Sequence, residues 1–174
     1  MEALALVYED VLDAVRDAAT RIALHKRIAD VAEHVQGEPE VARERLLAAV
    51  QAGADDPAPL RDLVRLTRRA NRAPDLADAL GLLAAAATRD GKLEVAKEAL
   101  GERCDVDEQL GNLAGAIEAA RQVLLLDGRD QGARVTLERL FNRAERWPEL
   151  IELLGWLAQE AATPEEQAAV LARL

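Results

Sequence analysis

Arg61, Arg65, Arg68 and Arg72 recur at i, i+4, i+7 and i+11 within the stretch LRDLVRLTRRANR. On a helix that spacing sets four guanidinium groups along one stripe, with Leu60, Leu63, Val64 and Thr67 towards the other side. Two chemistries fit such a stripe. Forked, charge-assisted hydrogen bonds could hold acidic side chains, a C-terminal carboxylate or a phosphate of a partner. Alternatively, the stripe is a solvated face neutralised by Asp62, Asp75 and other acidic neighbours.

Catalytic chemistry has little to work with. The chain contains no Ser, which excludes serine nucleophiles and the GK[ST] phosphate loop. His25 and His34 lie on one expected helix but form no HxxxH, HExxH or Cys/His cluster, so no metal site is expected. The lone Cys104 is flanked by Glu102, Asp105 and Asp107, whose charges raise a thiol pKa, and it reads as a small packing residue. The acidic pairs Asp55-Asp56 and Glu165-Glu166 stand at helix starts, where they favour the helix dipole. The expectation is a non-enzymatic protein with no cofactor and no catalytic residues.

Composition points the same way. Half of the 174 residues are hydrophobic but only 2% are aromatic, and Ala, Leu, Arg and Glu dominate. Helix formers at this density, with no period-two run of Val, Ile, Thr and aromatics, imply an all-α fold. A net charge of −10 argues against nucleic-acid binding. The preference for Arg over Lys reads as the base composition of a GC-rich, bacterial genome. One cysteine forms no intrachain disulfide and suits a reducing compartment, so a cytoplasmic location is expected. MEALALVYED lacks the basic start of a signal peptide, and the longest apolar stretch, 79–87, is too short to span a bilayer.

About ten helices must position the arginines. Apolar recurrence at i, i+3, i+4 and i+7 predicts a first helix from Glu2 to Asp17 and a second, capped by Thr20, to Gln36. Gly37 closes it and Pro39 opens a third, to Ala52. Asp56 is the expected cap of a fourth helix running to Asn71. Pro74 opens a fifth, to Arg89; a sixth spans 92–110, a seventh runs from Gly111-Asn112 to Asp127, and an eighth from Gln131 to Ala144. Pro148 begins a ninth, to Ala161, and Thr163-Pro164-Glu165-Glu166 starts a tenth as a capping box. Trp147 and Trp156 are expected to pack within the last hairpin, with an interface contact as the alternative.

These helices repeat. Arg69, Ala70, Arg72, Pro74, Leu76, Leu80, Gly81 and Leu83 recur 74 residues later as Arg143, Ala144, Arg146, Pro148, Leu150, Leu154, Gly155 and Leu157. Equivalent second-helix positions Ala42, Leu76, Ala116 and Leu150 lie 34, 40 and 34 apart, so the long period is one standard unit and one longer one. With Gly111 between two helices, a small Ala116 and an Asp127-Gly128 ending, the chain resembles the tetratricopeptide repeat in divergent form. The resemblance implies a right-handed superhelical stack of antiparallel hairpins covering 1–174 as one domain. The first helix of each pair would line a concave groove that binds a peptide or protein segment. Its groove positions would be Arg61, Arg65, Arg68 and Arg69, then Gly101, Asp105, Glu108 and Gln109, then Val135, Arg139, Asn142 and Arg143. Arg72 completes the basic stripe. The Lys and Asn pattern of carboxylate-clamp members is absent, so a chaperone tail is not the expected ligand. Neither end reads as a polar capping repeat, which suggests a piece of a longer array; the alternative is self-association through exposed terminal helices.

Overall fold

Prolines open helices along this chain and left-handed residues end them. Pro39, Pro59, Pro74, Pro148 and Pro164 each occupy the first or second position of a helix, where a missing N–H costs nothing. The computed structural model describes residues 7, 8, 11, 12, 14–53 and 57–173. Among them it contains nine helices and no strand. They are α1 (Ala18–Val31), α2 (Pro39–Ala52), α3 (Ala58–Arg69), α4 (Ala73–Arg89), α5 (Leu93–Gln109), α6 (Leu113–Leu126), α7 (Gln131–Arg143), α8 (Trp147–Glu160) and α9 (Pro164–Leu171). Half of the expected helix 2–17 (residues 2–6, 9, 10 and 13) lies outside the described residues, and so does the expected cap Asp56. Asp17 caps α1, accepting from the Thr20 amide at 2.8 Å. Thr20 is thus in the first turn and is not the cap; its hydroxyl donates to the same carboxylate at 2.6 Å. Thr163 caps α9, accepting from the Glu166 amide at 3.2 Å, while the Glu166 carboxylate accepts from the Ala162 amide at 2.9 Å, one residue before the Thr163 amide that a capping box would use.

Each helix packs chiefly against its neighbours in sequence, giving a stack of antiparallel hairpins. The turn inside each hairpin ends on one left-handed residue: Gly37 (φ 70°), Asn71 (53°), Gly111 (74°) and Glu145 (55°). These four stand 34, 40 and 34 residues apart. In three of the turns the amide after the left-handed residue reaches a carbonyl five residues back, as in Arg72 to Thr67, Asn112 to Asp107 and Arg146 to Phe141, at 2.8–3.1 Å. The first turn holds one residue more. Glu38 bonds to Ala32, and Ala32–Gln36 is a π turn extending α1. The longer unit arises from longer helices: α4 and α5 have 17 residues each, against 14 for α2 and α6. A tight turn through Gly91 (φ 71°) joins them.

Leucines fill the gaps and alanines line the crossings. Leu60, Leu80, Leu100, Leu140 and Leu154 are fully buried, and so are Ala32, Ala49, Ala96, Ala116 and Ala119. Alanine lets two helices approach closely, while each buried leucine contributes roughly 1.5–3 kcal/mol. Leu76 and Leu83 pack beside Leu80, and Leu150 beside Leu154, as the repeat requires. Trp156 packs against this core, with the Arg134 guanidinium 4.6 Å from its ring centre. Trp147, by contrast, is half exposed: as the first residue of α8 it precedes the buried stripe.

Candidate functional site

The first helices of successive hairpins, α1, α3, α5 and α7, are tied to one another by arginine–carboxylate pairs that skip the helix between. Arg65 forks onto Glu33, with Nη1 and Nη2 donating to Oε1 and Oε2 at 3.0 and 2.9 Å. Arg69, one turn further, donates to the same Oε1 at 2.8 Å. Seventy-four residues on, the arrangement recurs. Arg139 forks onto Glu108, with Nη2 at 2.7 Å from Oε2, and Arg143 joins at 2.8 Å. Two arginines at i and i+4 on one helix therefore straddle a single glutamate near the end of the preceding first helix.

The π turn reconciles the registers of these two triads. Glu108 lies three residues before Gly111, whereas Glu33 lies four before Gly37, and the extra residue of the π turn accounts for the difference. Arg68 links α3 forward to α5, its Nη2 meeting both oxygens of Glu102 at 2.7 and 2.8 Å. Glu138 of α7 receives Arg173, just past α9. A continuous ladder thus runs along one face of the stack.

The electrostatics follow from that geometry. In each triad the carboxylate lies beneath its arginines: the Glu33 and Glu108 side chains are 11% and 16% exposed, against 64% and 53% for Arg69 and Arg143. The forked hydrogen bond from Arg65 holds Glu33 below the usual carboxylate range, and the one from Arg139 does the same to Glu108. The same bonds raise Arg65 and Arg139. Each triad sets two positive charges against one negative. Among the described residues Arg69 and Arg143 each use a single nitrogen, which leaves further N–H groups facing water.

The structure brings most of the sequence-derived residues onto this face, with partners the sequence did not suggest. Arg65, Arg68, Arg69, Arg139 and Arg143 pair with glutamates of neighbouring hairpins. Asp62 pairs with Lys26 at 3.1 Å. Asp75 does take Arg72, at 2.6 Å, and Arg72 also meets Glu40 of α2. Arg61 is exposed with no carboxylate partner among the described residues. Asn142 donates to the Glu138 carbonyl of its own helix at 2.9 Å. Glu33, Glu102 and Glu138 do not stand out in the sequence as partners, and Glu108 stands out there only as a non-basic groove position. The available signal was a glutamate about one repeat length from each arginine, 31–36 residues away.

Two other candidates settle into the framework. Cys104 is buried and its thiol is pushed up to about 11, by burial first and by Asp105 and Glu108 second. Burial therefore outweighs the flanking charges invoked from the sequence. His25 is buried and lowered by the same desolvation, then by Arg45 and Arg21. Among the described residues no group of three or more His, Cys, Asp or Glu is placed to hold a metal ion, and no helix is long and apolar enough to cross a membrane.

The turn residues recur at the repeat length, and the ladder joins helices one repeat apart. The architecture is a tetratricopeptide-like helical array. No family model matches the chain, and no curated protein sequence matches it. Solved structures similar to it include MamA, at 16% identity over 97% of this chain and 85% of that one, with a TM-score of 0.45. Another holds the nearly identical TPR-like repeats of a Podosopora anserina putative kinesin light chain, at 17% identity over 99% and 87%, with a TM-score of 0.47. A third is pilF of Pseudomonas aeruginosa, at 15% identity over 86% and 65%, with a TM-score of 0.43.

Proposed function

We propose that this chain is a non-enzymatic interaction scaffold that binds a segment of another protein along the face formed by α3, α5 and α7. The arginine triads supply contacts to acidic side chains of that segment. One observation carries this reading: each triad holds one more positive than negative charge, and Arg69 and Arg143 keep unused, exposed N–H donors. A carboxylate arriving there completes a fork without breaking the bond to Glu33 or Glu108. Arg61 and Arg68 extend the basic surface along α3, and Arg72 and Asn142 flank it.

Selection of displayed random 12-residue peptides against the chain tests the reading. Enriched peptides carry Asp or Glu, and Arg69→Glu with Arg143→Glu abolishes their binding while helicity is unchanged. Undiminished binding in that double variant contradicts the groove model. Arg65 and Arg139 are unsuitable targets because each forks onto a ladder glutamate.

A second reading rests on Trp147 and Ile151, which stand one turn apart on α8 and are both more than half exposed. Such a pair favours self-association of the last full hairpin. Sedimentation at several concentrations checks it: a dimer that Trp147→Ala dissolves supports it, and a strict monomer refutes it.

A further inference from the structure

Between α5 and α7, with α6 beneath, lies an open cavity of about 370 Å³. Its wall is made of small residues, Gly101 and Cys104 of α5, Gly132 and Ala133 of α7, and Ala120 and Val123 of α6. Gly101 stands in the middle of a 17-residue helix, and a Cβ built there meets nothing within 4 Å. Glycine disfavours a helix interior, yet no packing within the chain demands it here. Its effect is to leave the backbone of α5 open to an approaching group.

The rim has the opposite charge to the triads. Glu94, Glu98, Asp105 and Asp130 border the cavity with one base, Lys97. Lys97 is already held by Asp127 at 2.9 Å and Asp130 at 3.2 Å, and its pKa is raised by those bonds. The cavity therefore pairs an apolar floor with an acidic edge. Seven residues along α5 from Gly101 comes Glu108, with Arg139 and Arg143 bound to it. At the helical rise this is about 10 Å, the span of roughly three residues of extended chain.

From this juxtaposition we infer that the α5–α7 cleft binds an extended protein segment with three features in a fixed order. An aliphatic side chain fills the Gly101 cavity, a Lys or Arg beside it meets Glu98 and Asp105, and an Asp or Glu about three residues away meets Arg143. Charge complementarity selects this occupant: a wholly acidic segment is repelled by the rim, and a wholly basic one by the triad. The inference rests on the groove reading and specifies the partner's chemistry.

The test uses the displayed 12-residue random library. Selection on the wild-type chain enriches sequences with a Lys or Arg adjacent to Leu, Ile or Met and an acidic residue about three positions off. Gly101→Leu fills the cavity from the chain's own side. It weakens the selected peptides by about ten-fold or more while raising the thermal midpoint, because leucine favours the helix. Asp105→Lys weakens them as well. If Gly101→Leu and Asp105→Lys bind like wild type while Arg143→Glu does not, the cavity proposal fails and the groove reading stands. If none of the three variants changes binding, or if no peptide is enriched, both fail. Enrichment of wholly acidic peptides insensitive to Gly101→Leu also overturns the proposal.

Discussion

Glu33 and Glu108 are each shared by two arginines, and this sharing gives the chain a defined response to acid. Both carboxyls have folded-state pKa values held below 4.5, chiefly by the forked arginine bonds. Their contribution to stability is full above about 4.5 and disappears as pH falls through the lower folded value. His25 acts at higher pH. Burial lowers its pKa below 6.5, so the unfolded state takes up the proton first and stability declines as pH falls below about 6.5. Thermal melts across this range should therefore show two declines. His25→Leu should flatten the upper one, and Glu33→Gln with Glu108→Gln the lower one. Loss of either glutamate leaves two arginines side by side and costs about 1 kcal/mol at pH 7, a size typical of exposed ion pairs. A pH profile in which His25→Leu changes nothing between 6.5 and 5 would contradict the buried, neutral histidine.

The helices themselves were legible because their signals are local. Apolar recurrence, a proline in the first turn and a Gly or Asn at the end can all be read within a dozen residues, and Pro39, Pro74, Gly111 and Pro164 mark their boundaries. Three features were not. The π turn at Ala32–Gln36 adds one residue at the end of α1; the apolar recurrence of the sequence runs on to Val35 and gives no sign of it, although Val35 is exposed. Trp147 lies three positions before Leu150, in phase with the buried stripe of α8, where an aromatic residue looks like core, yet at the helix start it is half exposed. The arginine stripe was visible, but its glutamate partners lie a repeat away, whereas near neighbours such as Asp62 were the obvious candidates. Turn chemistry gives a clean prediction. Glu145 occupies a left-handed conformation that glycine adopts freely, and Gly111 holds the same place in the preceding unit. Glu145→Gly should stabilise the chain by about 1 kcal/mol, and Gly111→Ala should destabilise it by a similar amount. Denaturant midpoints measure both; a less stable Glu145→Gly would show that the glutamate side chain makes a stabilising contact.

For the molecule as a whole, hairpin packing and the ladder divide the labour. Leucines and alanines hold each helix to the next in sequence, and arginine–glutamate pairs connect first helices across the stack. Because the arginines of the ladder are largely exposed and its pairs ionic, they add less to stability than the core does. Leu140→Ala or Leu154→Ala should cost 2–5 kcal/mol, well beyond any single ladder substitution. The ladder's larger consequence is a face of alternating charge with unused donors. Amide chemical-shift mapping of the chain, titrated with a peptide selected from the random library, tests that most directly. Shifts should concentrate on α3, α5 and α7, strongest around Gly101, Thr136 and Arg143, and weaken with added salt. Shifts confined to the second helices α2, α4, α6 and α8, with the arginine-bearing face silent, would contradict the groove reading.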